Sequence, residues 1–246
     1  MMSNHFKIII PLYNAHHWIR FCVKSVKEQD YDNFQCIILD DLSTDKSAEI
    51  IKDEIKDDER FVLIENTEKA FALKNIYDGI CASTPQPEDI ILTLDGDDWL
   101  PNAGVLKTLN DIYNTSNCWL TYGSYAEFPS GLPGPFAKQI APHVIKSNSF
   151  REEEWCASHL RTFKHHLWSQ IKKEDLLDDQ GLFYEMAWDL AFMFPMLEMA
   201  GEKSKYVSDI LYIYNLTNPL NDHKVNHQLQ LSTEQKIRKK QKYERL

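Results

Sequence analysis

Short apolar runs alternate with amphipathic stretches through roughly the first hundred residues, and this alternation limits the possible folds more than any other feature. Residues 6–11 are rich in isoleucine and stopped by a proline, as expected of a strand buried on both faces. Residues 15–28 place Trp18, Ile19, Cys22, Val23 and Val26 at three- and four-residue steps, the spacing of a helix. A second buried run at 34–39 leads through a polar turn at 40–45 into an amphipathic stretch carrying Ala48, Ile50, Ile51 and Ile55. Ser43 or Thr44 is the expected cap of that helix, with Asp45 and Glu49 near its positive end. Residues 61–65 read as a third strand, 70–82 as a third helix, and 90–94 as a fourth strand after the breaker cluster at 83–87. Repeated strand and helix of this kind builds an α/β fold, a parallel sheet with helices on its faces.

The second half is less regular. Residues 119–128 read as a strand, 129–142 as a long loop dense in proline and glycine, and 206–215 as another strand. Helical spacing is present at 152–164 and at 188–200, where Pro195 predicts a kink or break. Residues 226–246 form a polar tail; 232–246 are mostly basic and read as a peripheral helix with a solvated face. At 246 residues the chain is at the upper end for one domain, and 1–225 is read as that domain.

Lys+Arg 27 against Asp+Glu 37 gives a net charge of −10, which argues against nucleic acid as a partner. A phosphorylated small molecule would then need a local device, such as a divalent cation held by carboxylates. The five cysteines are widely spaced and read as buried thiols in a reducing compartment, with no structural zinc. No window reaches the roughly 18 apolar residues of a spanning helix, so a cytoplasmic protein is expected.

In open parallel sheets, ligands bind beyond the carboxyl ends of the strands, which directs attention to the segments after Ile10, Leu39 and Leu94. Leu94-Asp95-Gly96-Asp97-Asp98-Trp99 packs three carboxylates into four positions. Such packing costs repulsion without a cation, and aspartate oxygens suit magnesium or manganese. Asp40-Asp41 follows another strand, where one carboxylate can accept a hydrogen bond from a base ring nitrogen and the other can cap the turn.

Together these segments resemble the family-2 nucleotide-sugar glycosyltransferases. The resemblance runs from about Lys7 to Leu106: Ile8-Ile9-Ile10-Pro11-Leu12-Tyr13-Asn14 is similar to the opening strand and loop, Leu39-Asp40-Asp41-Leu42-Ser43-Thr44-Asp45 to the acidic turn, and Leu94-Asp95-Gly96-Asp97-Asp98 to the DxD metal motif. It implies a GT-A-like doubly wound, mostly parallel sheet, with residues 1–115 as the nucleotide-sugar half and 116–225 as the acceptor half. The family commonly has glycine where Leu42 stands, and Leu73-Lys74-Asn75 takes the place of its Ala-Arg-Asn.

By this resemblance Pro11, Tyr13, Asn14, Asp40 and Lys74 surround the base, Asp95 approaches the ribose, Asp98 either supports the metal site or contacts the sugar, and Asp41 and Gly96 are further substrate-binding candidates. Asp97 binds Mn2+ or Mg2+ bridging the diphosphate, and His223 is a further metal candidate, with His227 and the His165-His166 pair as competitors. The inverting reaction needs a base for the acceptor hydroxyl. Asp189 in Ala187-Trp188-Asp189-Leu190 holds that position, Trp188 standing in place of the family's glutamate, and Glu185 is the runner-up. His159 to Lys164 also draws attention as a charged, aromatic segment ahead of the base, set against a solvated helix face. The expected activity is transfer from a nucleotide diphosphate sugar, with UDP favoured, to an acceptor hydroxyl on a glycan or other molecule. The alternatives are a catalytically silent nucleotide-sugar-binding module and a nucleotidyltransferase, although the segment after Pro11 lacks the glycine- and basic-rich phosphate loop the latter needs.

Overall fold

The computed structural model describes residues 3–221 and 227–246. A seven-stranded sheet has the order β3-β2-β1-β4-β6-β5-β7, with β1 Phe6–Leu12, β2 Phe34–Asp40, β3 Phe61–Glu65, β4 Ile90–Thr93, β5 Leu120–Phe128, β6 Thr162–Lys164 and β7 Ser204–Asn215. Strands β1 to β4 are mutually parallel, β7 runs parallel to β5, and only β6 is antiparallel to its neighbours β4 and β5. This is the doubly wound, mostly parallel sheet implied by the opening motifs.

The apolar runs are continuous because both faces of the sheet are covered. Ile9, Ile37, Leu39 and Ile91 point to one side, where they meet helices α3 Phe71–Ala82, α5 Pro142–Ser147, α6 His165–Trp168 and α7 Trp188–Ala200. Their neighbours Ile8, Ile10, Cys36, Ile38 and Leu92 point to the other, against α1 Ile19–Lys27, α2 Ser47–Ile55 and α4 Val105–Ser116. Register aligns Leu12 with Asp40 and Ile9 with Thr93, so the ends of β1, β2 and β4 open onto one rim.

Several expectations are corrected. Helix α1 begins at Ile19 rather than near Ala15, whose carbonyl instead closes a turn by accepting from the N–H groups of Trp18 and Ile19. Neither Ser43 nor Thr44 caps α2: the Asp45 carboxylate accepts from the Ser47 N–H at 2.9 Å, while Ser43 Oγ accepts from the Asn14 N–H. No helix spans 152–164; the segment is irregular until β6. There Phe163 is fully buried between Ile91 and Leu120, and Thr162 Oγ1 lies 2.6 Å from Thr121 Oγ1 and 2.8 Å from Tyr113 Oη, so sheet pairing overrides the helical spacing. Pro195 sits inside α7 without ending it. All five cysteines are free, but Cys81 is exposed and Cys156 half-buried rather than both being buried. Among the described residues no helix is long and apolar enough to cross a membrane.

The tail is more than a solvated helix. Helix α8 His227–Arg238 buries Thr233 and Ile237, and a bidentate pair lies beneath it. Arg151 Nε and Nη2 donate to Glu198 Oε1 and Oε2 at 2.5 and 2.9 Å, both side chains being almost wholly buried. Arg151 Nη1 also donates to the Ile237 carbonyl, and the Tyr243 N–H donates to Glu198, tying the last helix and the tail to α7. Removing one partner leaves an uncompensated buried charge. Arg151→Met is therefore expected to cost about 3–5 kcal/mol in urea unfolding, with part of the loss recovered in the double variant Arg151→Met/Glu198→Leu.

Candidate active site

At the carboxyl rim of β1 and β2, two loops are stapled together. The Asn14 N–H donates to Ser43 Oγ at 2.9 Å, and Asn14 Oδ1 accepts from the Thr44 N–H at 2.8 Å. Asn14 adopts a left-handed backbone, which its residue type tolerates. Leu42 is also left-handed, with φ +62°. Asp40 is buried and its Oδ1 accepts from the Ser43 N–H at 3.2 Å, closing the acidic turn.

Asp41 turns the other way and caps α3. Its carboxylate accepts from the backbone N–H groups of Ala70 and Phe71 at 2.7 and 3.0 Å, from Asn66 Nδ2 at 3.0 Å, and pairs with Lys69 at 3.0 Å. Burial raises its pKa, but these bonds outweigh burial and hold the carboxyl below its usual range. Lys69 Nζ lies 3.1 Å from the centroid of the Tyr13 ring, which it holds half-exposed at the rim. Lys74, one turn into α3, is partly exposed and paired with Asp78. Pro11 is buried, and its carbonyl accepts from the Gly96 N–H at 3.1 Å. A Cβ on Gly96 would stand 2.5 Å from Leu12 Cβ, so only glycine lets the turn after β4 approach β1 this closely.

That turn carries the clustered acids. Asp98 is buried; its Oδ2 accepts from Tyr212 Oη at 2.5 Å and its Oδ1 from the Asn215 N–H at 2.7 Å. Tyr212 Oη also accepts from the Asp95 N–H at 3.3 Å. Asp97 Oδ2 accepts from Asn218 Nδ2 at 2.7 Å, and its carbonyl from Asn215 Nδ2. Trp99 pairs with Ile213, completing the attachment to β7. Burial pushes the Asp97 carboxyl up. Burial, followed by the charges of Asp97 and Asp95, pushes Asp98 well above the usual range, against the lowering effect of its two hydrogen bonds.

On the other side of β4, the Arg161 carbonyl accepts from the N–H of Thr93, two residues before Asp95. Its buried guanidinium donates to Asp189 Oδ2 at 3.0 Å, in the first turn of α7. His159 lies against the same guanidinium, Nδ1 at 3.2 Å from Nη1, and stacks on Tyr212 with centroids 4.3 Å apart. Burial, then the charge of Arg161, drives its pKa well below the ordinary value, so the imidazole is neutral and accepts. Asp189 is therefore linked to the acidic turn through Arg161, His159 and Tyr212. Glu185 is exposed outside this chain of contacts. His165 and His166 sit at the opposite end of β4, their N–H groups donating to the carbonyls of Asp89 and Pro87, so the sheet separates them from the acidic turn. His227 is exposed at the start of α8, and His223 lies outside the described residues. Arg161, His159, Tyr212, Asn215 and Asn218 carry no sequence motif as site residues; the charged, aromatic character of 159–164 pointed toward the first two, and the polar stretch 214–223 that carries His223 contains the last two.

Among the described residues, no three Asp, Glu, His or Cys side chains converge into a ready metal cage. A magnesium-type ion needs only one or two carboxylates together with substrate phosphates. Asp97 and Asp95, crowded beside a third acid, fit that requirement.

Residues 7–166 match the family described as Glycosyl transferase family 2. The chain belongs to this family. An uncharacterized glycosyltransferase from Haemophilus influenzae is 35% identical over 121 residues, 48% of this chain and 46% of that protein. Glycosyltransferase GlyA of Streptococcus pneumoniae is 22% identical over 226 residues, covering 88% of this chain and 31% of its own length. The chain thus spans less than half the length of either relative. Staphylococcus aureus TarS 1–349 in complex with UDP-GlcNAc superposes with a TM-score of 0.65 at 18% identity, covering 87% of this chain and 59% of that one. A Pyrobaculum calidifontis mannosyltransferase in complex with GDP-Man and Mn2+ gives 0.64 at 16% identity, covering 99% and 67%. Both share the fold.

Within this family-2 fold, the Asp41 cap generates a pH signature. A carboxyl with its folded pKa below the unfolded value stabilises the fold above the unfolded value, and the contribution is lost as pH falls through the folded one. Asp41→Asn is therefore expected to lose about 1–2 kcal/mol at pH 7, as for a lost helix cap. The difference from wild type should shrink as the pH falls below the ordinary aspartate range, measured by urea unfolding across that range.

Proposed function

We propose that this chain is an inverting glycosyltransferase that moves a sugar from a nucleotide diphosphate donor, a UDP-sugar by preference, to an acceptor hydroxyl. The observation that carries this reading is the linkage of Asp189 to the Asp95–Asp98 turn across β4, on the same rim as the loops after β1 and β2. Donor-bound TarS and the GDP-mannose complex support a nucleotide sugar in that rim.

In this reading Tyr13, Asn14, Asp40 and Lys74 line the base pocket beside Pro11. Gly96 lets the acidic turn close over β1, and Asp95 meets the ribose. Asp97 would hold a Mn2+ or Mg2+ ion that neutralises charge developing on the diphosphate. Asp98, spent on Tyr212 and Asn215, fixes the turn. Asp189 Oδ1 accepts the proton of the acceptor hydroxyl as its oxygen bonds to the anomeric carbon, and the carbon–oxygen bond to the diphosphate breaks on the opposite face.

Asp189→Asn is expected to abolish sugar transfer and donor hydrolysis, a loss of at least about 100-fold, while calorimetric affinity for UDP in manganese stays within twofold. Asp97→Ala should instead remove the manganese-dependent part of UDP affinity. Wild-type protein that binds UDP-sugars without turnover would support the silent binding module, and unchanged affinity in Asp97→Ala would overturn the metal assignment.

A further inference from the structure

The guanidinium of Arg161 is held by few partners. It is almost wholly buried; among the described residues it pairs with the Asp189 carboxylate at 3.0 Å, lies against His159 and the face of Trp188 at 5.6 Å, and its Nε–H has no partner there. Arg161 and His159 therefore fix each other. His159 is fixed in turn by rings on three sides: Tyr212 stacked at 4.3 Å, Tyr214 stacked at 5.6 Å and Tyr125 edge-on at 5.8 Å. Tyr212 is the residue whose hydroxyl donates to Asp98.

We propose that Arg161, aimed by His159, is a positioning residue that holds Asp189 Oδ2 so that Oδ1 faces the acceptor, and that this pair sets the base relative to the metal turn. The proposal rests on the reading of Asp189 as the base. A carboxylate on the first turn of a helix can rotate about two side-chain torsions, and one charge-assisted bond from a buried donor removes most of that freedom. The donor cannot drift, because the imidazole accepting from it is clamped by the aromatic cluster. Trp188 belongs to the same arrangement: standing where the family has glutamate, it lays its ring beside the Arg161 guanidinium and adds no second charge to compete with Asp189 for it. No bond is made or broken by Arg161; the proton still passes from the acceptor oxygen to Asp189.

Misplacing a reacting group by about 1 Å costs on the order of 100-fold. The test follows UDP release from a panel of UDP-hexoses in manganese, with calorimetric UDP affinity and circular dichroism on each variant. Arg161→Ala is expected to lower kcat by about 100-fold with donor KM within twofold, and added guanidinium chloride at low, non-denaturing concentration should restore part of the rate. His159→Phe, which keeps a stacking ring but removes the acceptor nitrogen, should lose kcat in the same direction by a smaller factor. Asp189→Asn should gain nothing from guanidinium. Wild-type kcat in Arg161→Ala alongside an inactive Asp189→Asn would overturn the positioning role and leave the base assignment standing. An active Asp189→Asn would overturn the base reading itself. Loss of UDP affinity in both Arg161→Ala and His159→Phe, with no rescue, would assign the pair to structure alone and sink the proposal.

Discussion

The site depends on a carboxylate that cannot reach water. Asp98 is buried among two other acids, and its ionised form is disfavoured by burial and by like charge. What retains it is a pair of short bonds, one from the Tyr212 hydroxyl and one from the Asn215 N–H, both on β7. Those bonds fasten the exit of β4 to a strand at the far edge of the sheet, more than a hundred residues away in sequence. Once the turn is fastened, Asp97 and Asp95 are held at the rim. Burial opposes the ionisation of Asp97, and in the proposed reading a divalent cation would offset that cost.

The same tyrosine links the turn to the proposed base. Tyr212 carries the turn on its hydroxyl and His159 on its ring face. The antiparallel insertion of β6 between β4 and β5 is what brings His159 and Arg161 there, since Thr162 and Phe163 must pair with Leu92 and Ile91 for the preceding residues to reach the carboxyl end of β4. A parallel strand in that place would direct the 159–161 segment to the opposite rim. The one reversal in an otherwise parallel arrangement around β4 is thus a condition for joining the two parts of the site.

The first hundred residues were legible because each signal was local. Isoleucine runs buried on both faces, three-residue helical steps and aspartates at strand ends each reported their own structure, and four strands with their intervening helices follow that pattern. The second half was not, because its structure is set by partners distant in sequence. Phe163 and Thr162 lie in a stretch with helical spacing, yet strands already in place on both sides claim them. The capping of α3 by Asp41, 29 residues before Ala70, has no local pattern at all. Asp189 is the candidate base by its motif position alone, whereas Arg161 comes beside it only when β6 is placed next to β4. Of the histidines, the adjacent pair at 165–166 looked like ligands and falls at the wrong end of the strand.

Leu42 shows how the chain accommodates a departure from its family. A left-handed backbone costs a branched or bulky residue roughly 1–2 kcal/mol relative to glycine's free access, and nothing in the sequence removes the need for that turn. The structure shows where the offset lies. Asp40 accepts from the N–H of Ser43 on one side of Leu42, Asp41 is fixed by four donors on the other, and Asn14 clasps Ser43 and Thr44 from the neighbouring loop. With both flanks pinned, the intervening residue has no lower-energy conformation that preserves these bonds, and its side chain is left 40% exposed at the rim beside Asp40. The turn therefore keeps its shape without glycine, with an apolar side chain added at the edge of the proposed base pocket.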